Sequence, residues 1–237
     1  MLRQRRPQIQ MIRTAPATLL LFSLMSWPHP APAQGIHPVS GRKIAPVMGA
    51  AGAGWLVRPE REREENPSLA VSLLGLKPGM VVADIGAGVG YYSFLIARKV
   101  GSAGKVYATD IQPEMLRLMR QRMAKEKISN VEPVPSTESE TGLPDGRIDA
   151  ALLVDVYHEF SEPQKMLASI ARALKPDGRL ILLEFRKEDP SVPIREEHKM
   201  SVAMVKQEVE AENYRMVKVL DQLPWQHILI FQKAKAE

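Results

Sequence analysis

From Val81 onward the chain is punctuated by short, nearly unbroken apolar runs: Val81–Ile85, 106–109, Ile148–Val154 and 180–185, with a weaker one at 131–134. Runs of this length without polar alternation suit strands buried on both faces, as in a parallel sheet. Helical spacing fills the gaps between them. Met115, Leu116, Met119 and Met123 recur every three or four residues after Pro113, a good first-turn residue. Met166, Leu167, Ile170, Ala171 and Leu174 do so after Ser161, a plausible N-cap, and KPDG (175–178) signals a stop and a turn. Strands alternating with helices predict a Rossmann-like, doubly wound α/β sheet. The last two runs, 216–220 and 227–232, are separated only by DQLPWQ, too short for a crossover helix. They are expected to pair antiparallel and close the sheet as a hairpin.

Upstream the pattern changes. The charged stretch RPEREREENP (58–67) leads into a first helix ending near Gly75. Residues 34–57, rich in Gly, Ala and Pro, read as a flexible arm. In residues 1–33, basic positions up to Arg13 precede an apolar stretch around Leu19–Leu24, followed by prolines and Ala31-Pro32-Ala33. That order is expected of a cleavable secretory signal peptide, with export to the periplasm. The apolar stretch is about 11 residues, against roughly 20 for a bilayer span, so no stable membrane span is expected. Residues 58–237 then form the catalytic domain.

Charge alters this picture little. The formal net charge of +5 owes most of its excess to Arg3, Arg5, Arg6 and Arg13, and the other 28 basic residues face 27 acidic ones. No basic stripe points to nucleic acid. The absence of cysteine removes disulfides, thiol nucleophiles and thiolate metal sites.

The chemistry is concentrated at the ends of the apolar runs. VVADIGAGVGYYS (81–93) carries Gly86, Gly88 and Gly90. A dinucleotide fingerprint needs its third glycine at position 91, which is Tyr91, and no Gly-Lys-Ser/Thr follows for a triphosphate loop. A strand, an acid and G-x-G-x-G opening a helix suit a ligand without pyrophosphate. Asp84 is expected on its amine side, and the glycine amides and helix N-terminus on its carboxylate. Asp110 ends the next run, 24 residues after Gly86, where a carboxylate accepts hydrogen bonds from ribose hydroxyls; capping of the following helix is the plainer alternative.

Four segments, VADIGAGVGYYS, KVYATDIQPEML, LPDGRIDAALLVDVYHEF and RALKPDGRLILLEF, together resemble class I S-adenosylmethionine-dependent methyltransferases, in the subgroup of type 11 and quinone-biosynthesis enzymes. The resemblance covers about three quarters of the chain, from about residue 58 to 233. It implies seven strands ending in an antiparallel hairpin, and S-adenosyl-L-methionine as cofactor. It also implies a methionine-side loop of Asp84, Gly86, Gly88 and Gly90 and ribose contacts from Asp110 and Ile111. The family often has an Asp for the adenine after the third strand. Here that loop reads PSTESETGLPDG, leaving Glu138 or Ser136 as the substitute. Asp155 sits where the family places residues facing cofactor and substrate, and Tyr92, with Tyr91, either lines the methionine tail or packs the first helix turn.

His158 and Glu159, in VDVYHEF, follow the fourth strand and are the candidate catalytic pair, with His158 as base. HE begins like the zinc motif H-E-x-x-H, but Glu162 occupies the second histidine position, so no metal is expected. Glu184 and His198 are weaker candidates, the first read as structural and the second as a solvated helix residue. The function expected is methyl transfer to a small-molecule acceptor. The alternatives are a cofactor-binding sensor or scaffold without transfer, and a nicotinamide oxidoreductase, which Tyr91 disfavours.

Overall fold

A computed structural model describes residues 35–234; the expected signal peptide lies outside them. One sheet organises the domain, with strands β1 (Val81–Ile85), β2 (Lys105–Asp110), β3 (Val131–Pro135), β4 (Ile148–Val154), β5 (Leu174–Arg186), β6 (Lys199–Met200), β7 (Tyr214–Leu220) and β8 (Gln226–Lys233). The order is β3-β2-β1-β4-β5-β8-β7; β1 to β5 run parallel, and β8 is antiparallel to both β5 and β7. The seven expected strands are these, and the short β6 is an addition, pairing with the end of β5 at Phe185 and Arg186.

Apolar runs become two-faced strands because side chains alternate along them. Ile181 and Leu183 of β5 join one core with helices α2 (Pro67–Leu73), α3 (Tyr91–Val100) and α4 (Pro113–Glu126). Leu180 and Leu182 join the opposite core with α5 (Pro163–Ala173) and α6 (Val202–Glu210). Chain order reverses between β1 and β4, so the carboxyl ends of these neighbours open a crevice at the switch point.

Four local details differ from expectation. KPDG does not end α5 as a free turn. It loops out of the β4–β5 pairing, whose register jumps from Ile148–Leu174 to Ala150–Arg179. The N-cap of α5 is Glu162 rather than Ser161, because Pro163 fixes the first helical φ. The charged stretch holds a helix of its own, α1 (Arg61–Glu64), separated from α2 by Asn66 at φ 51°, whose side chain accepts from the Leu69 amide. Residues 35–57, expected to be loose, lie packed on the domain. His37, Ile44 and Ala45 are buried, and Glu208 of α6 pairs with Arg42 at 2.8 Å and His37 at 3.1 Å.

Candidate active site

A cavity of about 670 Å³ opens at the switch point. Its floor is set by the glycine loop. Gly86, Gly88 and Gly90 have φ of 69°, 55° and 80°, a region that penalises any side chain. A Cβ at Gly86 would lie 2.4 Å from Val156 Cγ2, and one at Gly88 would lie 2.8 Å from Leu56 Cδ1. Gly86 and Gly88 line the cavity. Gly90 does not: it begins α3 and packs on Phe94 and Met119.

Asp110 lines the cavity at the end of β2. Its Oδ2 accepts from the Gly88 amide at 2.9 Å and its Oδ1 from the Gln112 amide at 2.8 Å. Asp110 does not cap α4, whose N-cap is Gln112 without a side-chain cap bond, and each of its carboxylate oxygens keeps a second lone pair. Burial raises its pKa, opposed by those two N–H donors. Ile111 beside it is 40% exposed, and Ser136, Thr137 and Glu138 complete this side.

Asp84 and Tyr92 are not among the lining residues. Asp84 lies beneath the loop and accepts the Ser93 hydroxyl at 2.6 Å; burial, partly offset by Ser93 and Arg61, pushes its pKa up to about 6. Tyr92 is buried in the first turn of α3, packing as the plainer reading had it, with the Arg61 guanidinium over its ring and that of Tyr91. Arg61 escapes the fate of an ordinary solvated charge because Glu65 pairs with it at 2.6 Å and the Leu56 carbonyl accepts from it.

On the other side of the switch point, Asp155 follows β4 at φ 50°. The Gln226 amide donates to its Oδ2 at 2.7 Å, while Oδ1 has no partner among the described residues. Burial and the charges of Glu65 and Glu184 raise its pKa well above the usual carboxylate range. His158 is buried with its Nδ1 2.6 Å from Glu184 Oε2, so Nδ1 carries the proton. Glu184 also accepts the Tyr157 amide at 3.1 Å, which fixes the ring it orients. Burial alone would lower the His158 pKa; Glu184 overrides it and the net shift is upward. Its Nε2 lies 3.0 Å from Nδ1 of His198, whose pKa is lowered by burial and by His158. Glu159 lines the same wall; burial raises its carboxyl to about 7 against the pull of His158.

His198, a weaker candidate read as a solvated helix residue, instead ends a short 3₁₀ turn (Glu196–His198) and lines the cavity. Sequence reading missed Gln226, which donates to Asp155, and Arg61, Met48, Trp55 and Leu56, which form part of the cavity wall. Only the order HE at 158–159 carried a signal. The other partners arrive from farther along the chain, Glu184 from 26 residues and His198 from 40.

A family described as a methyltransferase domain matches residues 76–233. The chain belongs to that family. A crystal structure of an S-adenosylmethionine-dependent methyltransferase from Aquifex aeolicus superposes with a TM-score of 0.74 at 30% identity, covering 78% of this chain and 98% of that one. A putative type 11 methyltransferase from Sulfolobus solfataricus gives a TM-score of 0.58 at 25% identity, covering 73% and 95%. Among curated relatives, the ubiquinone/menaquinone biosynthesis C-methyltransferase UbiE of Hydrogenovibrio crunogenus is 34% identical over 119 residues, 50% of this chain and 47% of that protein. That of Marinomonas sp. is 36% identical over 118 residues, with 49% and 47% covered. The chain spans about half the length of these curated relatives.

The chain therefore carries a methyltransferase domain of the S-adenosylmethionine-dependent kind. Its crevice fits the cofactor: two lining glycines leave no room for a side chain, a buried carboxylate ends β2, and the Asp155 oxygen on the cavity wall lacks a partner. No helix among the described residues is long and apolar enough to cross a membrane.

Proposed function

We propose that this methyltransferase acts on a small-molecule acceptor bearing an ionisable hydroxyl or enol, and that His158 removes the acceptor's proton. The observation that carries this reading is the His158–Glu184 pair, with its 2.6 Å contact, on the wall of the same cavity as Asp110. Strand order sets the division of labour. Asp110 ends β2 and His158 follows β4, on opposite sides of the switch point beside β1. In this reading Gly86, Gly88 and Asp110 hold the cofactor's amino-acid and ribose parts. Ile111 covers the ring system, and Glu138 or Ser136 meets the adenine amine. When bound, S-adenosylmethionine supplies a methyl carbon on a sulfonium, which is already electrophilic.

The chain's remaining task is alignment, exclusion of water and proton removal. Glu184 holds the His158 ring and stabilises its protonated form, leaving Nε2 as the atom that takes the proton. The arm residues Trp55 and Leu56 and the 193–195 segment shield the acceptor from water. The lining mixes apolar Met48, Met115, Phe160 and Phe185 with more acidic groups (Asp110, Glu138, Asp155, Glu159) than basic ones (Arg61, Arg195), which suits an organic acceptor better than a nucleic acid. The UbiE relatives, named for C-methylation in quinone biosynthesis, favour an acceptor of the hydroxylated-ring type.

The test uses methyl-labelled cofactor and a host extract separated into small-molecule, protein and nucleic-acid fractions. Label is expected in the small-molecule fraction, with stoichiometric S-adenosylhomocysteine. Label confined to precipitated protein or RNA contradicts the proposal. The reading of residues 1–33 as a cleaved leader is a separate proposal that rests on their sequence pattern. N-terminal sequencing of protein from the host is expected to begin at Gln34, and a chain beginning at Met1 or Met11 removes it.

A further inference from the structure

We propose that His158, His198 and Glu159 form a binding site for one divalent transition-metal ion, which holds and ionises the acceptor. This inference rests on the small-molecule reading above and deepens it. One ligand atom from each residue lies within 4.8 Å of the other two. The two ring nitrogens are 3.0 Å apart. Ligands about 2.1 Å from a shared ion and at right angles to each other stand about 3.0 Å apart, widening to roughly 3.4 Å for a tetrahedral angle.

A hydrogen bond between the rings explains that one distance, but not the rest of the arrangement. His158 gives its Nδ1–H to Glu184, which fixes the ring and leaves Nε2 directed at His198. A carboxylate behind a histidine is the usual support of a metal-bound imidazole, selecting the tautomer and strengthening the donor. Glu184 is in turn anchored by the Tyr157 amide, and Arg42 and the Ala45 amide both donate to the His158 carbonyl. The donors are therefore held on both sides.

Charge points the same way. Asp155 and Glu159 line one end of the cavity, and Glu184 lies behind His158 at the same end. A cation among them offsets their mutual repulsion. Two imidazoles and one carboxylate select zinc, iron or cobalt over magnesium or calcium. Three protein ligands leave a coordination position facing the cavity, the open form found in catalytic rather than structural sites. An acceptor hydroxyl taking that position loses its proton to water more readily and is held as the oxyanion. With Nε2 given to the ion, His158 acts as a ligand and ionisation by the metal takes the place of its role as base, and the acceptor class narrows to phenols and enols able to ligate a metal.

The full chain, free of any polyhistidine tag and dialysed against chelator, is titrated with Zn²⁺ by calorimetry and with Co²⁺ by visible d–d absorption. Each sample is also titrated with S-adenosylmethionine. One ion per chain is expected, with affinity reduced at least tenfold in His198→Ala and in Glu159→Gln and cofactor affinity unchanged. Glu184→Gln is expected to weaken the metal about 10–100-fold through the orienting bond. Absence of one-to-one binding, or equal metal affinity in wild type and His198→Ala, overturns the site. A chain that binds the cofactor but no metal ends this inference and leaves methyl transfer standing; one that binds neither ends both.

Discussion

A methyl group added at Gly86 has nowhere to go. Its φ is +69° and its Cβ would press to 2.4 Å from Val156 Cγ2, on the segment that carries Asp155 and His158. Gly86→Ala is expected to lower stability by about 1–3 kcal/mol and to abolish cofactor binding, read by urea denaturation and calorimetry on the same sample; an unchanged midpoint and affinity would show that the loop relaxes freely. The glycines and Asp110 were legible in the sequence because backbone approach and a strand-end acid leave local marks. His198 was not, since its meaning depends on His158, 40 residues earlier, and nothing around EEHKM announces that contact. Asp84 was misplaced for a related reason. A carboxylate two residues before the loop can face the ligand or lie beneath it, and only Ser93, one helical turn into α3, decides for the latter.

At the scale of elements, apolar runs located all seven principal strands, most sharply the inner ones, which are buried on both faces, and least sharply the partly exposed edge strands β3 and β7. The short β6 escaped, since two residues carry no period. The arm escaped for a physical reason. Its Gly, Ala and Pro content shows no periodicity, and what holds it is remote: Glu208 receives Arg42, His37 and Ser40. Glu208 is fully buried, so removing it strands the Arg42 guanidinium without its counterion. Glu208→Ala is expected to cost about 3–5 kcal/mol, lowering the thermal midpoint and speeding tryptic cleavage after Arg42 and Lys43. Cleavage at the wild-type rate would mean that apolar contacts alone hold residues 35–57. Because Met48, Trp55 and Leu56 lie in this arm, the same variant is expected to bind cofactor more weakly.

For the whole molecule, the crevice is carried by charges buried against their preference, and this sets a pH signature. Asp84 has a folded pKa of about 6, raised first by burial, against about 3.9 for an unfolded Asp. The folded state therefore binds more protons in this interval, so the stabilising contribution is present below about pH 4 and is lost as pH rises through 6. Asp84→Asn removes the titration. Between about pH 4 and pH 7 the stability difference is expected to move in the variant's favour by on the order of 3 kcal/mol, measured by denaturant unfolding at each pH; a constant difference would show that Asp84 stays unshifted. In the proposed reading the cofactor lies on the β1–β2 side of the switch point and proton removal on the β4–β5 side. The most direct measurement of that division is calorimetric titration of S-adenosylmethionine into wild type, Asp110→Asn and His158→Gln. The account predicts a loss of about 10–100-fold for Asp110→Asn, the scale of hydrogen bonds to a charged group, and a change within about twofold for His158→Gln. Cofactor affinity that survives in Asp110→Asn and collapses in His158→Gln would contradict it.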